Sequence, residues 1–118
     1  MPLNTTDSTG AELAKQVPSD GYLIFYSSVV DGQLWCQDCR AVETLVEDSF
    51  SSADAPSALI VYVGDRATWR GKPSHPLRSE PWKVTGVPTI VKLKDGKEEG
   101  RLVEWEVVPN LKELLGAQ

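Results

Sequence analysis

Apolar and polar positions change period several times along the chain, and the changes mark its elements. "YLIFY" (22–26) and "ALIVYV" (58–63) are short unbroken apolar runs, the pattern of strands buried on both faces. Between them, Ala41, Val42, Leu45, Val46 and Phe50 recur at helical spacing and predict a helix from Gln37 to about Phe50. "TIVKLKDGK" (89–97) reads as a strand entering an Asp95-Gly96 hairpin, with "GRLVEWEV" (100–107) returning. Pro109 is expected to open a last helix over about 109–116. Thr9 is expected to cap a short helix to about Val17, with Glu12 at the capping-box position. Residues 1–8 read as a polar, frayed start, and "SSVVDGQ" (27–33) as a loop. "SSADAPS" (51–57) is expected to break the long helix. Residues 64–86 are the least regular part, with room for a short helix near 76–83 starting at Ser74 or His75.

The order is helix, strand, helix, strand, an irregular segment, strand, strand, helix. A parallel crossover followed by an antiparallel hairpin implies an α/β fold: a mixed central sheet, helices on both faces, and a C-terminal antiparallel hairpin plus helix. At 118 residues, with no repeat or linker, a single domain spanning 1–118 is expected.

Composition narrows the partners. The net charge of −5 disfavours nucleic acid and anionic membrane surfaces. No apolar run approaches the roughly 20 residues of a membrane helix. The first residues carry neither a basic-then-apolar leader nor an Arg-rich transit pattern, so a cytoplasmic address is expected. Asn4-Thr5-Thr6 matches a glycosylation acceptor, read as accidental without a secretory route.

The chemistry concentrates in "LWCQDCR" (34–40), which holds both cysteines of the chain, Cys36 and Cys39. Cys36 falls where the long helix begins, and free backbone N–H groups at a helix start stabilise a thiolate. Cys39, one turn on, is placed to resolve a mixed disulfide formed at Cys36. Three other uses stay open. A metal site would need more ligands than one histidine, His75, and carboxylates readily supply. A structural disulfide across so small a loop would stabilise weakly. The pair could also be buried and inert. Trp35 could shield the thiol and offer an apolar platform, or serve as a rim or core aromatic. Asp38 favours the helix dipole but opposes a nearby thiolate, so Asp38 and Gln37 are placed to tune thiol acidity, with Arg40 offsetting part of it. "TGVPTI" (85–90) puts Pro88 at a strand start, where its missing donor is least harmful.

"WCQDC" with "VTGVPTI" some fifty residues later resembles the thioredoxin superfamily. "VYVGDRATWR" and the long connection after it narrow the resemblance. They are similar to the small oxidoreductases with a W-C-P-D-C site, the thioredoxin-domain-containing protein 17 family. Asp38, Trp69, Val84-Thr85 and Val87-Pro88-Thr89 match that family by residue type. The resemblance implies a thioredoxin fold, Cys36 and Cys39 as the catalytic pair, and Trp35, Val87 and a cis Pro88 as substrate-positioning residues. It implies a cytoplasmic disulfide reductase with no bound cofactor, recharged by thioredoxin reductase with NADPH as ultimate donor. Small disulfides such as cystine, or selected protein disulfides, would be its substrates, and a monomer is expected. The rival is a binding module of the same fold, its cysteine pair a redox-sensitive latch.

Two departures stand out. Gln37 replaces the family's proline. The strand before the site, "YLIFY", lacks the buried acid of ordinary thioredoxins, so Asp38, water or another group must accept the resolving thiol's proton. Trp69 is expected either to line the client-facing 64–82 segment or to pack it onto the core. His75 reads as a loop residue rather than a catalyst.

Overall fold

The computed structural model describes residues 3–116. A five-stranded sheet has the order β1-β5-β2-β6-β7, built from β1 (Leu3–Thr6), β2 (Gly21–Tyr26), β5 (Ala58–Tyr62), β6 (Thr89–Lys94) and β7 (Lys97–Val103). A two-stranded ribbon, β3 (Val29–Val30) with β4 (Gln33–Leu34), stands apart. β1 and β2 pair parallel to β5, β6 runs antiparallel to β2, and β7 antiparallel to β6. The helices are α1 (Gly10–Ala14), α2 (Gln37–Phe50), α3 (Arg66–Trp69) and α4 (Val107–Leu114).

β2 is buried at every position because it is central and covered on both faces. Tyr22 meets Phe50 of α2 with ring centroids 5.1 Å apart. Leu23 and Phe25 point the other way, toward Ala14 and Trp82. The alternation of a strand therefore assigns α2 to one face and α1 with the 76–82 segment to the other. α4 packs against α2, β6 and β7. The expected mixed sheet with a terminal hairpin and helix is what forms.

Several boundaries differ from the sequence reading. Residues 3–6 form an edge strand rather than a frayed start, with Leu3 opposite Ala58. The polar side chains of Asn4, Thr5 and Thr6 suit an edge, where backbone pairing carries the strand. The 27–33 loop contains the β3–β4 ribbon, turned by Asp31 and Gly32 at φ 54° and 84°. Two positive φ values in succession form the hairpin turn whose twist matches paired strands. Thr9 precedes α1, but its side chain makes no cap bond. The helix ends at Ala14, not Val17, where Gln16 N donates to Leu13 O in a tightened last turn. The helix expected near 76–83 is only a 3-10 turn, Pro76–Arg78, with Pro81 unable to donate a continuing bond. The returning strand stops at Val103 instead of 107, because Glu104 takes φ 52° and residues 104–106 turn into α4. Pro109 lies at the third helical position, where a first-turn N–H would have no intrahelical partner.

Candidate functional site

The site follows from strand direction. β2 and β5 run parallel and end together at Tyr26 and Tyr62, while β6 begins at Thr89 opposite Phe25. The residues just after β2 and just before β6 therefore converge at one end of the sheet, although some fifty positions separate them. Open α/β sheets place ligands outside this carboxyl end of their parallel strands.

Cys36 is the residue before α2, with extended backbone (φ −90°, ψ 119°), and Cys39 lies in the first turn. Both are free cysteines; Cys36 is half-buried and Cys39 has no exposed surface. Cys36 Sγ donates to the carbonyl of Val87 at 3.7 Å. The Val87–Pro88 peptide is cis, and both residues are buried. Ser27, fully buried just past β2, ties the pair together. Its Oγ accepts from Cys36 N at 3.0 Å, and its own N–H donates to Cys39 Sγ at 3.4 Å.

Burial pushes the Cys39 thiol up to about 12; the neighbouring Cys36 adds to the rise, and the Ser27 N–H works against it. A group so placed stays a neutral thiol until a neighbour changes. Beside it, the Tyr26 hydroxyl is buried without a hydrogen-bond partner, and burial raises its pKa as well, helped by Cys39 and Glu43. Asp38 and Gln37 are exposed on the first turn of α2, outside the thiol pair's buried side.

Trp35 forms the outer wall. Its Nε1 donates to Gly64 O at 2.8 Å and its backbone N donates to Ser28 O at 3.2 Å. Gly64 N donates in turn to Ser28 Oγ at 2.8 Å. Arg66 lies over the Trp35 ring, 4.9 Å from its centroid. The approach to Cys36 is thus fixed jointly by the ends of β2 and β5.

The 64–86 segment is anchored rather than open. Asp65 caps α3 by accepting from Thr68 N at 2.9 Å. Trp69 is buried, with Arg78 stacked 3.7 Å from its ring centroid and His75 edge-on at 4.9 Å. Of the two uses expected for Trp69, packing the segment onto the core is the one observed. His75 lies in the connection before the 3-10 turn, as expected, and is buried there: its Nε2 is 2.7 Å from Val63 O, and its Nδ1 accepts from Leu77 N at 3.0 Å. A carbonyl only accepts, so Nε2 carries the proton and both ring nitrogens are engaged.

The fold brings together Trp35, Cys36, Cys39, Val87 and Pro88 of the residues expected from sequence; Gln37 and Asp38, expected to tune thiol acidity, lie exposed at the rim. Sequence reading missed Ser27 and Tyr26. The only available signal was their position at the end of the strand that delivers the cysteines. Among the described residues, no group of three or more His, Cys, Asp or Glu is arranged to hold a metal ion, and no helix is long and apolar enough to cross a membrane.

Known proteins resemble this chain in sequence and in fold. The thioredoxin-like protein Clot of Arabidopsis thaliana is 34% identical over 116 residues, covering 92% of this chain and 86% of the relative. The thioredoxin-like protein Clot of Oryza sativa subsp. japonica is 38% identical over 80 residues, covering 63% of this chain; the match spans only 57% of that relative's length. A mutant thioredoxin from Halobacterium salinarum superposes with a TM-score of 0.60 at 24% identity, covering 98% of this chain and 88% of its own, which shows the thioredoxin fold. Residues 6–115 match the family described as thioredoxin domain-containing protein 17-like, thioredoxin domain. With a match across nearly its whole length, the chain belongs to that thioredoxin-like family.

Proposed function

We propose that the protein is a cytoplasmic disulfide reductase working by dithiol–disulfide exchange, recharged by thioredoxin reductase and ultimately by NADPH. The observation that carries this reading is the asymmetry of the pair: a half-buried Cys36 that a substrate can reach and a fully buried Cys39 one turn behind it.

The Cys36 thiolate attacks one sulfur of a substrate disulfide, forming a mixed disulfide and expelling the first substrate thiolate. Cys39 loses its proton to solvent and attacks Cys36 Sγ. The Cys36–Cys39 disulfide forms and the second substrate thiolate leaves. The two leaving thiolates take up protons, and two electrons have moved from dithiol to substrate. The electrostatics suit this order. Charge on Cys36 helps keep Cys39 protonated, and the mixed disulfide removes that charge. The Ser27 N–H already aimed at Cys39 Sγ then favours its thiolate. Trp35 and the Val87 carbonyl border the reacting sulfur and position the substrate; small disulfides such as cystine are the expected class.

The test is NADPH consumption with thioredoxin reductase, offering cystine and a protein disulfide in parallel, with Cys36→Ser as control. Turnover that Cys36→Ser abolishes supports a reductase. No turnover with either substrate overturns it in favour of a redox-sensitive binding module.

A further inference from the structure

Cys36 and Trp35 also line a cavity of about 320 Å³ whose other walls include Arg40, Arg66 and Arg70. That volume is at the lower end of small-molecule sites, enough for a group of amino-acid size. The three arginines come from two separate parts of the chain. Arg40 belongs to the first turn of α2; Arg66 and Arg70 stand one turn apart on α3 and its end. Two are held in place by the backbone. Arg40 Nη1 donates to Leu34 O at 2.6 Å, and Arg66 Nη2 donates to Trp35 O at 3.2 Å. A guanidinium has five N–H donors, so each retains free ones.

None of the three makes an ion pair among the described residues; the ion pairs there join Lys15 to Glu12, Lys83 to Glu80, Lys92 to Glu99 and Arg101 to Glu98. This is notable in a chain with 17 acidic and 12 basic residues. Asp38 is the one carboxylate in the cavity wall. Asp31 and Asp65 border the adjoining cleft, and Asp65 is already engaged by Thr68 N and Thr68 Oγ1 at 2.9 and 2.7 Å. Like charges gathered without partners repel one another, and an anion relieves that repulsion. Guanidinium forks match a carboxylate in geometry as well as charge.

We propose that this cavity is an anion subsite of the disulfide site: it takes a carboxylate carried a few bonds from the sulfur that Cys36 attacks. The inference rests on the reductase reading and deepens it, making small carboxylate-bearing disulfides the preferred substrate class over neutral or cationic ones. Arg40, Arg66 and Arg70 are the specificity-determining residues.

The experiment needs no reductase. Reduced protein is mixed in single turnover with 3,3′-dithiodipropionate, 2-hydroxyethyl disulfide or cystamine, which carry two negative, no and two positive charges. Each rate is divided by that of a free neutral thiol with the same disulfide. The normalised dianion-to-dication ratio is expected to be about tenfold at low salt and to shrink as salt screens the charges. Arg70 is exposed, and its side chain makes no hydrogen bond among the described residues, so Arg70→Gln tests the charge with little risk to folding. It is expected to lower the ratio about threefold, as for one charge several ångströms away in water. Arg66→Gln is expected to lower it in the same direction. A wild-type ratio at or below one, or a ratio that neither substitution moves, overturns the subsite and leaves the exchange reading standing. Failure to outpace the free thiol with all three disulfides overturns the exchange reading, and the subsite with it.

Discussion

Ser27 donates its backbone N–H to the Sγ of Cys39, and the same residue's hydroxyl accepts from the backbone of Cys36. One small residue at the end of β2 therefore sets the position of both sulfurs. Ser27→Ala keeps the first bond and deletes the second, leaving Cys36 N without its partner. A loss of about 1–2 kcal/mol in urea unfolding of the reduced protein is expected. Unchanged stability would mean that water or a shifted backbone replaces the hydroxyl.

The raised Cys39 thiol makes a stability prediction with a definite sign. Its folded pKa of about 12 lies above the ordinary value of 9.0, so folding favours the neutral form. That contribution is complete below about pH 9 and is lost as pH climbs toward 12, at about 1 kcal/mol per pH unit. Tyr22, Tyr26 and Tyr62 are also raised by burial and add their own losses above about pH 10. The window between pH 9 and 10 isolates the thiol. Under reducing conditions, the stability gap between wild type and Cys39→Ala is expected to narrow there by about 1 kcal/mol. A gap independent of pH would show that Cys39 is not held protonated by the fold.

The two cysteines should fail differently. Cys36→Ser removes the reachable sulfur, so no covalent adduct with cystine is expected. Cys39→Ser leaves that sulfur but removes the resolving thiol, so a stable adduct one half-cystine heavier should accumulate in intact-mass spectra. An adduct on Cys36→Ser and none on Cys39→Ser would reverse the assigned roles.

Gly64 links the two strand ends that frame the thiol. It takes φ 109°, and a Cβ there would lie 2.9 Å from Thr68 Cγ2. Its carbonyl receives Trp35 Nε1. Gly64→Ala is expected to cost about 1–3 kcal/mol from backbone strain alone. Adding Thr68→Ala removes the clash but not the strain, so thermal unfolding should recover only in part. Full recovery would assign the cost to the clash.

The sequence was most legible where one signal decides the outcome. α2 runs from Gln37 to Phe50 as its helical period implies, and β2 is buried end to end as its apolar run implies. The cysteine pair and Pro88 were legible because motif spacing marks them. β1 was not, since Asn4, Thr5 and Thr6 pair through backbone on an edge and carry no hydrophobic signature. The early end of β7 was also hidden: a positive φ at Glu104, a non-glycine residue, cannot be read from local preference. Ser27 and Tyr26 escaped for another reason. Their importance comes from what stands next to them after folding, and neither residue type announces it.

His75 is the single histidine of the chain, and both of its ring nitrogens are committed to the backbone around α3 and the 3-10 turn. The imidazole signals in a proton–nitrogen NMR spectrum therefore come from one residue, with the tautomer set by the fold. They form a native reporter for the 64–86 segment. Binding, oxidation or substitution at the thiol pair can be followed through them, showing whether the segment beside the site shifts with the chemistry, without any label attached to the protein.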